Sequence, residues 1–595
     1  MNIFQYLIIG GVAALSLLLS CQNDPLVLAD QGRSDYVIVV SPDATESERH
    51  AANEFSRLLA LSSEVTLPVV LDTESDGRHE ILIGASSHTD IDTTLLAEDG
   101  FTIRTEGRRL AIVGGKEKGT LYGVYSFFDQ YLGYRCLSSK VLDYPMLDRI
   151  EVGEIDDTQV PVNLFRDTHY RDAFDPFYSD WHKIDHCTLD GVIDGEWGYM
   201  VHTFELLVPP AQYFKTHPEY YALIDGKRDP AQLCLSNPEV FDVLVKNLED
   251  AMAQFPKATY WSVSQNDNYG YCCCEECTKL DEQEDSHSGS VLAFVNRVAE
   301  RFPDKVISTL AYQYSRKPPR SIVPRENVQI MLCNIESERQ VPIATNPNDN
   351  FGEDLRAWGK LTRDIMIWDY VVQFRHLVSP FPNLRVLQPN IRFFVENGTN
   401  AHFQQGNREI GGEFYELRQY LISRLLWNPN CDINGEMDDF LKHYYHEAAP
   451  YIRQYIDLMH DELEASGEML GIFMSPEDYC EKGFLRNELM ARYESIFTQA
   501  MEAVSGQPEI LQRVKVAYMP LTYALFNIAK KRGIADSRCF EQVDGKWRTR
   551  PEILTRLDEF VALCRETGVT RLSEWHTTPD EYDVQMHEFF QMIHK

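Results

Sequence analysis

The chain is short of positive charge. Its 595 residues carry 56 Lys and Arg against 91 Asp and Glu, a formal net charge of −35 at pH 7. Nucleic-acid binding needs clustered cations that displace counterions from phosphate, so that partner class is excluded and polyanionic polymers are disfavoured. A neutral substrate fits better. No Gly-rich phosphate loop follows an early strand, which argues against a doubly wound nucleotide-binding sheet. No Gly-x-Ser-x-Gly elbow exists to present a nucleophilic serine. His169 and His202 are too few and too scattered for a catalytic metal site. No catalytic metal and no cofactor are expected. Internal repeats and low-complexity tracts are also missing. Beyond residue 20 no apolar stretch approaches the roughly 20 residues that span a bilayer.

What is present begins with a targeting segment. Tyr6 to Ser20 is almost wholly apolar and runs into Leu18-Leu19-Ser20-Cys21, which resembles a bacterial lipoprotein cleavage box. Met1 to Gln5 has no Lys or Arg, a departure from the usual basic start. The run is also short for a transmembrane anchor. The expectation is a signal peptide over 1–21 with Cys21 lipidated, then a tether over 22–34. That implies a lipid-anchored protein of a Gram-negative cell envelope, at the periplasmic or the outer face. Membrane contact would be made through the lipid on Cys21.

A first domain is expected over 35–150. Tyr36–Val40 and Glu80–Gly84 read as strands, Phe101–Arg104 and Leu110–Val113 as a hairpin, and Glu46–Leu59 and Gly119–Leu132 as helices. This order predicts a small α+β layer structure. From 160 to 430, apolar β-rich runs alternate with helical stretches such as Val240–Phe255 and Ser290–Phe302. The expected strands are Asn163–Arg166, Gly198–His202, Gln232–Leu235, Tyr260–Ser264, Val306–Leu310, Val328–Leu332, Ile365–Trp368 and Ala401–Phe403. Eight βα units predict a (β/α)8 TIM barrel. Over 431–595 the apolar spacing is helical, as in Phe440–Leu463, where Tyr444, Ala448, Ile452, Tyr455 and Met459 recur on one face.

Barrel enzymes carry their chemistry at the C-terminal ends of the strands. The Tyr260 strand runs into Gln265-Asn266-Asp267-Asn268. The other ends bring Arg166, His202, Tyr312, Tyr314, Glu336, Trp368-Asp369-Tyr370 and Gln404. Carboxylates among aromatics and amides suit glycoside hydrolysis, in which one group protonates the leaving oxygen and another stabilises an oxocarbenium-like centre. Flat aromatic faces stack on sugar rings, and amides read hydroxyl and acetamide groups. The reading sets Asp267, Glu336, Asn266 and Asp369 as catalytic candidates. His202, Tyr312, Tyr314, Trp368, Tyr370, Gln404 and Arg166 are candidates for binding sugar.

Longer motifs sharpen this. His202-Thr203-Phe204, Tyr213 through Arg228, Gln232 through Pro238, Ser264 through Asp267 with its Cys-rich loop, Leu310 through Pro319, Trp368-Asp369-Tyr370 and Leu417 through Pro429 together resemble the domain of unknown function 4838, the core of glycoside hydrolase family 163. Gly119 through Arg135 resembles the closing helix of the domain that precedes the barrel in α-glucuronidases and β-hexosaminidases. The family resemblance implies an endo-β-N-acetylglucosaminidase that cuts the GlcNAc-β1,4-GlcNAc core of complex N-glycans. The implied partner is an N-glycan or another GlcNAc-containing glycan. It also implies substrate assistance, the 2-acetamido carbonyl acting as nucleophile in a retaining reaction. Related barrels place an adjacent polar pair at the end of the fourth strand, and Asn266-Asp267 holds that place here. Asp267 is then the general acid or the carboxylate that orients the acetamide, Glu336 the second carboxylate and the alternative general acid, and Asp369 a third. An exo-acting α-glucuronidase or β-hexosaminidase is an alternative, and Arg166 with Arg316-Lys317 keeps a uronate-binding site open. A non-catalytic glycan-binding lipoprotein is another.

Cys272, Cys274 and Cys277 form a C-x-C-x2-C run. For an exported chain the expectation is a disulfide staple. A zinc site completed by Cys187 or Cys234 and a set of buried free thiols are the alternatives.

Overall fold

The structure is a computed structural model that describes residues 25–116, 118–185, 196–575 and 577–592. The signal segment, Cys21 and Cys187 lie outside the described residues. The chain divides into two compact units.

The first unit comprises residues up to Leu132 together with Pro145–Gln159. Its six-stranded sheet runs Asp156–Gln159, Phe101–Glu106, Arg109–Gly114, Glu80–Ile83, Val37–Val40, Val69–Leu71 in spatial order. Helix Glu46–Ser63 starts at a capping box, in which Thr45 accepts from the Glu48 amide and Glu48 accepts from the Thr45 amide. Its apolar positions, Ala51, Ala52, Phe55, Leu58 and Leu59, are buried, as their 3.6-residue spacing requires.

The second unit comprises Gly133–Tyr144 and Val160–Lys595. Its frame is a curled, all-parallel sheet of seven strands among the described residues. In space they run Phe165–Thr168, Ala401–Gln405, Ile365–Tyr370, Val328–Cys333, Val306–Ala311, Tyr260–Ser262, Trp197–Tyr199. The first strand in sequence pairs with the last, Phe165 opposite Ala401. Seven of the eight expected strands are therefore in the sheet. The eighth, Gln232–Leu235, is not. Lys227–Leu233 instead pairs antiparallel with Tyr221–Ile224 across Asp225-Gly226, both at positive φ. An Asp-Gly pair between two strands is a strong hairpin signal, because a type I′ turn needs positive φ at both central residues. It outweighs the apolar run that follows.

The two faces of the sheet are separated by strand parity, since successive side chains point to opposite sides. One face carries Trp261, Ile307, Ile330, Leu332, Ile365 and Ile367. It packs against helices Pro238–Gln254, Ser288–Arg301 and Phe351–Leu361 through Leu244, Leu248, Val295, Leu355 and Trp358. The inner face carries Leu310, Met331, Cys333, Met366, Tyr370 and Phe403. These belong to one continuous core with Tyr455, Phe497, Leu521 and Phe560 of the C-terminal helices. The helical region is thus fused to the sheet. The long amphipathic run Phe440–Leu463 forms two helices, Ile433–Tyr445 and Ala449–Ser466. They break at His446, where φ is 48°, just before Pro450 in the first turn of the second helix. Among the described residues a hairpin, Phe540–Val543 with Lys546–Thr549, interrupts the helices.

The described cysteines are all free, so the expected disulfide staple in the C-x-C-x2-C run is absent. Among the described residues no helix is long and apolar enough to cross a membrane.

Candidate active site

A cavity of about 270 Å3 opens at the C-terminal ends of the parallel strands. His202 follows the Trp197 strand, Asp267 follows the Tyr260 strand, and Tyr312 follows Ala311. Trp368 and Tyr370 end the Ile365 strand, and Gln405 ends the last strand. Five residues expected from sequence therefore meet in one cavity: Asp267, His202, Tyr312, Trp368 and Tyr370.

Asp267 is held from one side. The Tyr312 hydroxyl donates to its Oδ1 at 3.0 Å and the Gln313 amide approaches the same oxygen at 3.5 Å. The Tyr312 phenol is pushed well above its ordinary pKa, first by burial and then by the Asp267 charge, so it remains a donor. His202 Nδ1 lies 2.7 Å from the Gln265 carbonyl. A carbonyl only accepts, so Nδ1 bears a proton and donates it. The Trp368 indole donates to Gln405 Oε1 at 2.7 Å and fixes that amide. Trp368 also stands edge-on to Phe403 and lies near-parallel to Tyr370, with centroids 4.8 and 6.0 Å away. This makes a flat aromatic wall.

The other expected residues are elsewhere. Asn266 is a strut: its side chain accepts from the Glu205 amide at 3.0 Å and donates to the Ala231 carbonyl at 2.8 Å. Asp369 and Gln404 are opposite each other in register and face the helix side of the sheet, one position out of phase with Trp368, Tyr370 and Gln405. Asp369 is buried, accepts from Asn334 at 2.8 Å, and has its pKa raised by burial against the partial offset of Arg339. It is part of the wall behind the cavity, and the amide that reaches the cavity is Gln405, the neighbour of the one expected. Arg166 is fully buried, with its guanidinium on the Lys183 and Asn163 carbonyls at 2.7 Å and over the Trp427 ring. Its place is structural. Tyr314 packs with Tyr271 and His287 in a separate outer pocket. Glu336 does not line the cavity but stands near it, since Tyr269 and Cys333 both feel the charges of Glu336 and Asp267. Arg316 donates to Glu336 at 3.0 Å and also binds Asp354 and Asn350.

Two lining residues come from the C-terminal region, Phe473 and Glu574. Backbone bonds pin them to the loop after Tyr370. Phe374 N donates to Ile472 O at 2.8 Å, Leu377 N to Leu572 O at 2.9 Å, and Glu574 N to Phe374 O at 3.0 Å. Phe374 stacks on Phe473. Nothing in the local pattern around Glu574 marks it, because its place depends on contacts far away in sequence. Among the described lining residues the acidic side chains are Asp267 and Glu574, and there is no Arg or Lys.

Residues 136–457 match the family described as the domain of unknown function DUF4838, over more than half of the chain, and the protein belongs to that family. Residues 30–127 match the family described as the glycosyl hydrolase family 67 N-terminus. No curated protein sequence matches. Among solved structures, the chain is similar to a family GH115 4-O-methyl-α-glucuronidase with specificity for decorated arabinogalactans. That match has a TM-score of 0.55 at 12% identity and covers 95% of this chain and 80% of the other. It shows a shared fold. A GH138 enzyme targeting pectin rhamnogalacturonan II aligns with a TM-score of 0.45 at 11% identity, covering 93% and 78%. CpGH84D aligns with a TM-score of 0.45 at 13% identity, covering 96% and 97%.

Proposed function

We propose that this protein is a glycoside hydrolase, and specifically an endo-β-N-acetylglucosaminidase that cuts the GlcNAc-β1,4-GlcNAc core of complex N-glycans. The observation that carries the reading is the cavity itself. A carboxylate anchored by a phenol, Asp267 on Tyr312, faces a wall of Trp368 and Tyr370 at the strand ends. The pairing of first strand with last supports reading the sheet as a barrel of the (β/α)8 kind.

In the proposed reaction the substrate's own 2-acetamido oxygen attacks the anomeric carbon, giving a retaining, substrate-assisted route. Asp267, accepting from Tyr312, is the carboxylate that orients the acetamido N–H. Protonation of the leaving oxygen is assigned to Glu574, the other carboxylate lining the cavity. Glu336 is the competing donor, disfavoured because it does not line the cavity and its carboxyl is engaged by Arg316 at 3.0 Å. The lining residues favour a neutral sugar over a uronate: a glucuronate carboxylate needs a cationic partner, and the described lining supplies carboxyl side chains and no Arg or Lys. On this reading the protein is exported and held at the cell envelope by lipid on Cys21.

The test is mass spectrometry of a complex-type N-glycoprotein incubated with the purified protein. Release of glycans ending in one GlcNAc, with one GlcNAc left on each Asn, is the expected result. Absence of release, together with turnover of a small aryl hexosaminide or uronide, would replace the endo reading by an exo one. Binding of glycan without any turnover would make the protein a lectin-like lipoprotein.

A further inference from the structure

Cys234, Cys272, Cys274 and Cys277 bring four sulfur atoms together, all within 4.8 Å of one another. They come from two separate segments. Cys234 follows the Lys227–Leu233 strand of the Asp225-Gly226 hairpin; Cys272 and Cys274 lie on the loop after Asp267, and Cys277 lies in the first turn of helix Glu275–Glu284. Cys234, Cys272 and Cys277 are buried and Cys274 is half-buried, while the adjacent Cys273 is exposed. A tetrahedral zinc site with bonds of about 2.3 Å sets its sulfurs about 3.8 Å apart. The Cys234 and Cys274 sulfurs are 3.6 Å apart.

The surroundings are those of a thiolate site. The Leu223 amide donates to Cys272 Sγ at 3.3 Å. The Ser236 hydroxyl lies 3.3 Å from both Cys274 Sγ and Cys277 Sγ. The Arg228 guanidinium hydrogen-bonds Cys234 and acts electrostatically on Cys272 and Cys274. Four thiols binding one Zn2+ release four protons and leave a site of charge −2. A neighbouring guanidinium and amide N–H donors offset that charge, the usual role of groups just outside a metal's ligands.

We propose that these four cysteines form a closed, structural zinc site that clamps the hairpin to the loop behind Asp267. Four thiolates with no place left for water suit a structural ion of soft character and exclude Mg2+ and Ca2+. The clamp has a direct mechanical route to the cavity. Gln232, two residues before Cys234, brackets the Asn266 backbone, accepting from its N–H at 3.0 Å and donating to its carbonyl at 2.8 Å. Asp267 is the next residue. The metal assignment stands on the cysteine cluster alone, and only the link to catalysis rests on the proposed function.

The experiment is elemental analysis of the purified, unreduced protein, combined with denaturing alkylation and intact mass. About one zinc per chain is expected. A mercurial should release it as the thiols are consumed. Replacing it with Co2+ should give the near-ultraviolet absorption of cobalt thiolates. Cys273→Ser should keep the metal and Cys277→Ser should lose it. If Cys277→Ser fails to fold, the parent's metal content and alkylation pattern still decide. Four freely alkylated thiols without metal would overturn the site, as would disulfides seen as two hydrogens lost per bridge. Bound iron in place of zinc would overturn the assignment of the ion. These readouts do not depend on activity, so the site can stand if the glycosidase reading falls, and the reverse.

Discussion

At the scale of single residues the cavity makes sharp demands. Asp267→Asn keeps the shape and removes the charge. Turnover of an N-glycan substrate should fall about 100-fold or more, with binding of the intact glycan retained, as read by steady-state kinetics and calorimetric titration. Tyr312→Phe removes one hydrogen bond to a charged group and should cost about 10-fold in kcat/KM. Glu574→Gln tests the donor assignment. If Glu574 supplies the proton, the variant should lose at least about 100-fold on N-glycans, yet keep most activity on an aryl glycoside whose leaving group needs no protonation. The same pattern in Glu336→Gln instead would transfer the role to Glu336.

Elements decide which neighbour of a pair is functional. Trp368 and Tyr370 face the cavity while Asp369 between them faces the helices, and Gln405 faces it while Gln404 does not. Gln405→Ala should therefore raise KM or lower kcat with little loss of stability. Gln404→Ala should do the reverse, lowering the melting temperature while leaving KM unchanged. Gly198 gives a second element-level test. A Cβ there would sit 2.3 to 2.5 Å from the Trp261 ring atoms, and that ring is fully buried. Gly198→Ala should destabilise the protein by about 1–3 kcal/mol through overpacking, read as a lower denaturation midpoint.

Sequence patterns show elements of this kind well and their phase less well. Seven of the parallel strands could be read from apolar β-rich runs, and Asp267, His202, Tyr312, Trp368 and Tyr370 from polar or aromatic groups just past them. The Asp225-Gly226 hairpin was also written in the sequence, but an apolar run masked it. Arg166 and Asp369 misled because a charged residue at a strand end can serve the wall as well as the cavity. Only register distinguishes the two, and register depends on where each strand starts. Glu574 had no local sign, since it reaches the cavity only through segments brought together by the fold, whereas Cys234 was one of the two cysteines the sequence offered as a fourth ligand.

At the scale of the molecule, the second unit has one core. The inner face of the sheet and the C-terminal helices share it, so removing the helices would expose that face to water. A chain ending at residue 430 should express as aggregated or non-cooperatively folded material, visible by size exclusion and circular dichroism. The core also buries acids. Glu416 accepts from Tyr444 at 2.9 Å and has its pKa raised to about 7, first by burial and then by the Asp172 charge. A folded-state value above the unfolded one means that this group's contribution is complete below about pH 4.5 and is lost as the pH rises through about 7. The shift corresponds to at most about 3 kcal/mol. Glu416→Gln should reduce the fall in stability between about pH 5 and pH 8, measured by urea denaturation at both.

More than half of the chain lies between Asp267 and Glu574, yet both face the same cavity. As the polypeptide emerges from the ribosome, the sheet ends are synthesised long before the segment that completes their wall. On the proposed role of Glu574, the growing chain should be inert toward glycans until that segment has been made and has docked. A premature stop codon late in the reading frame should silence the protein as thoroughly as one near the start.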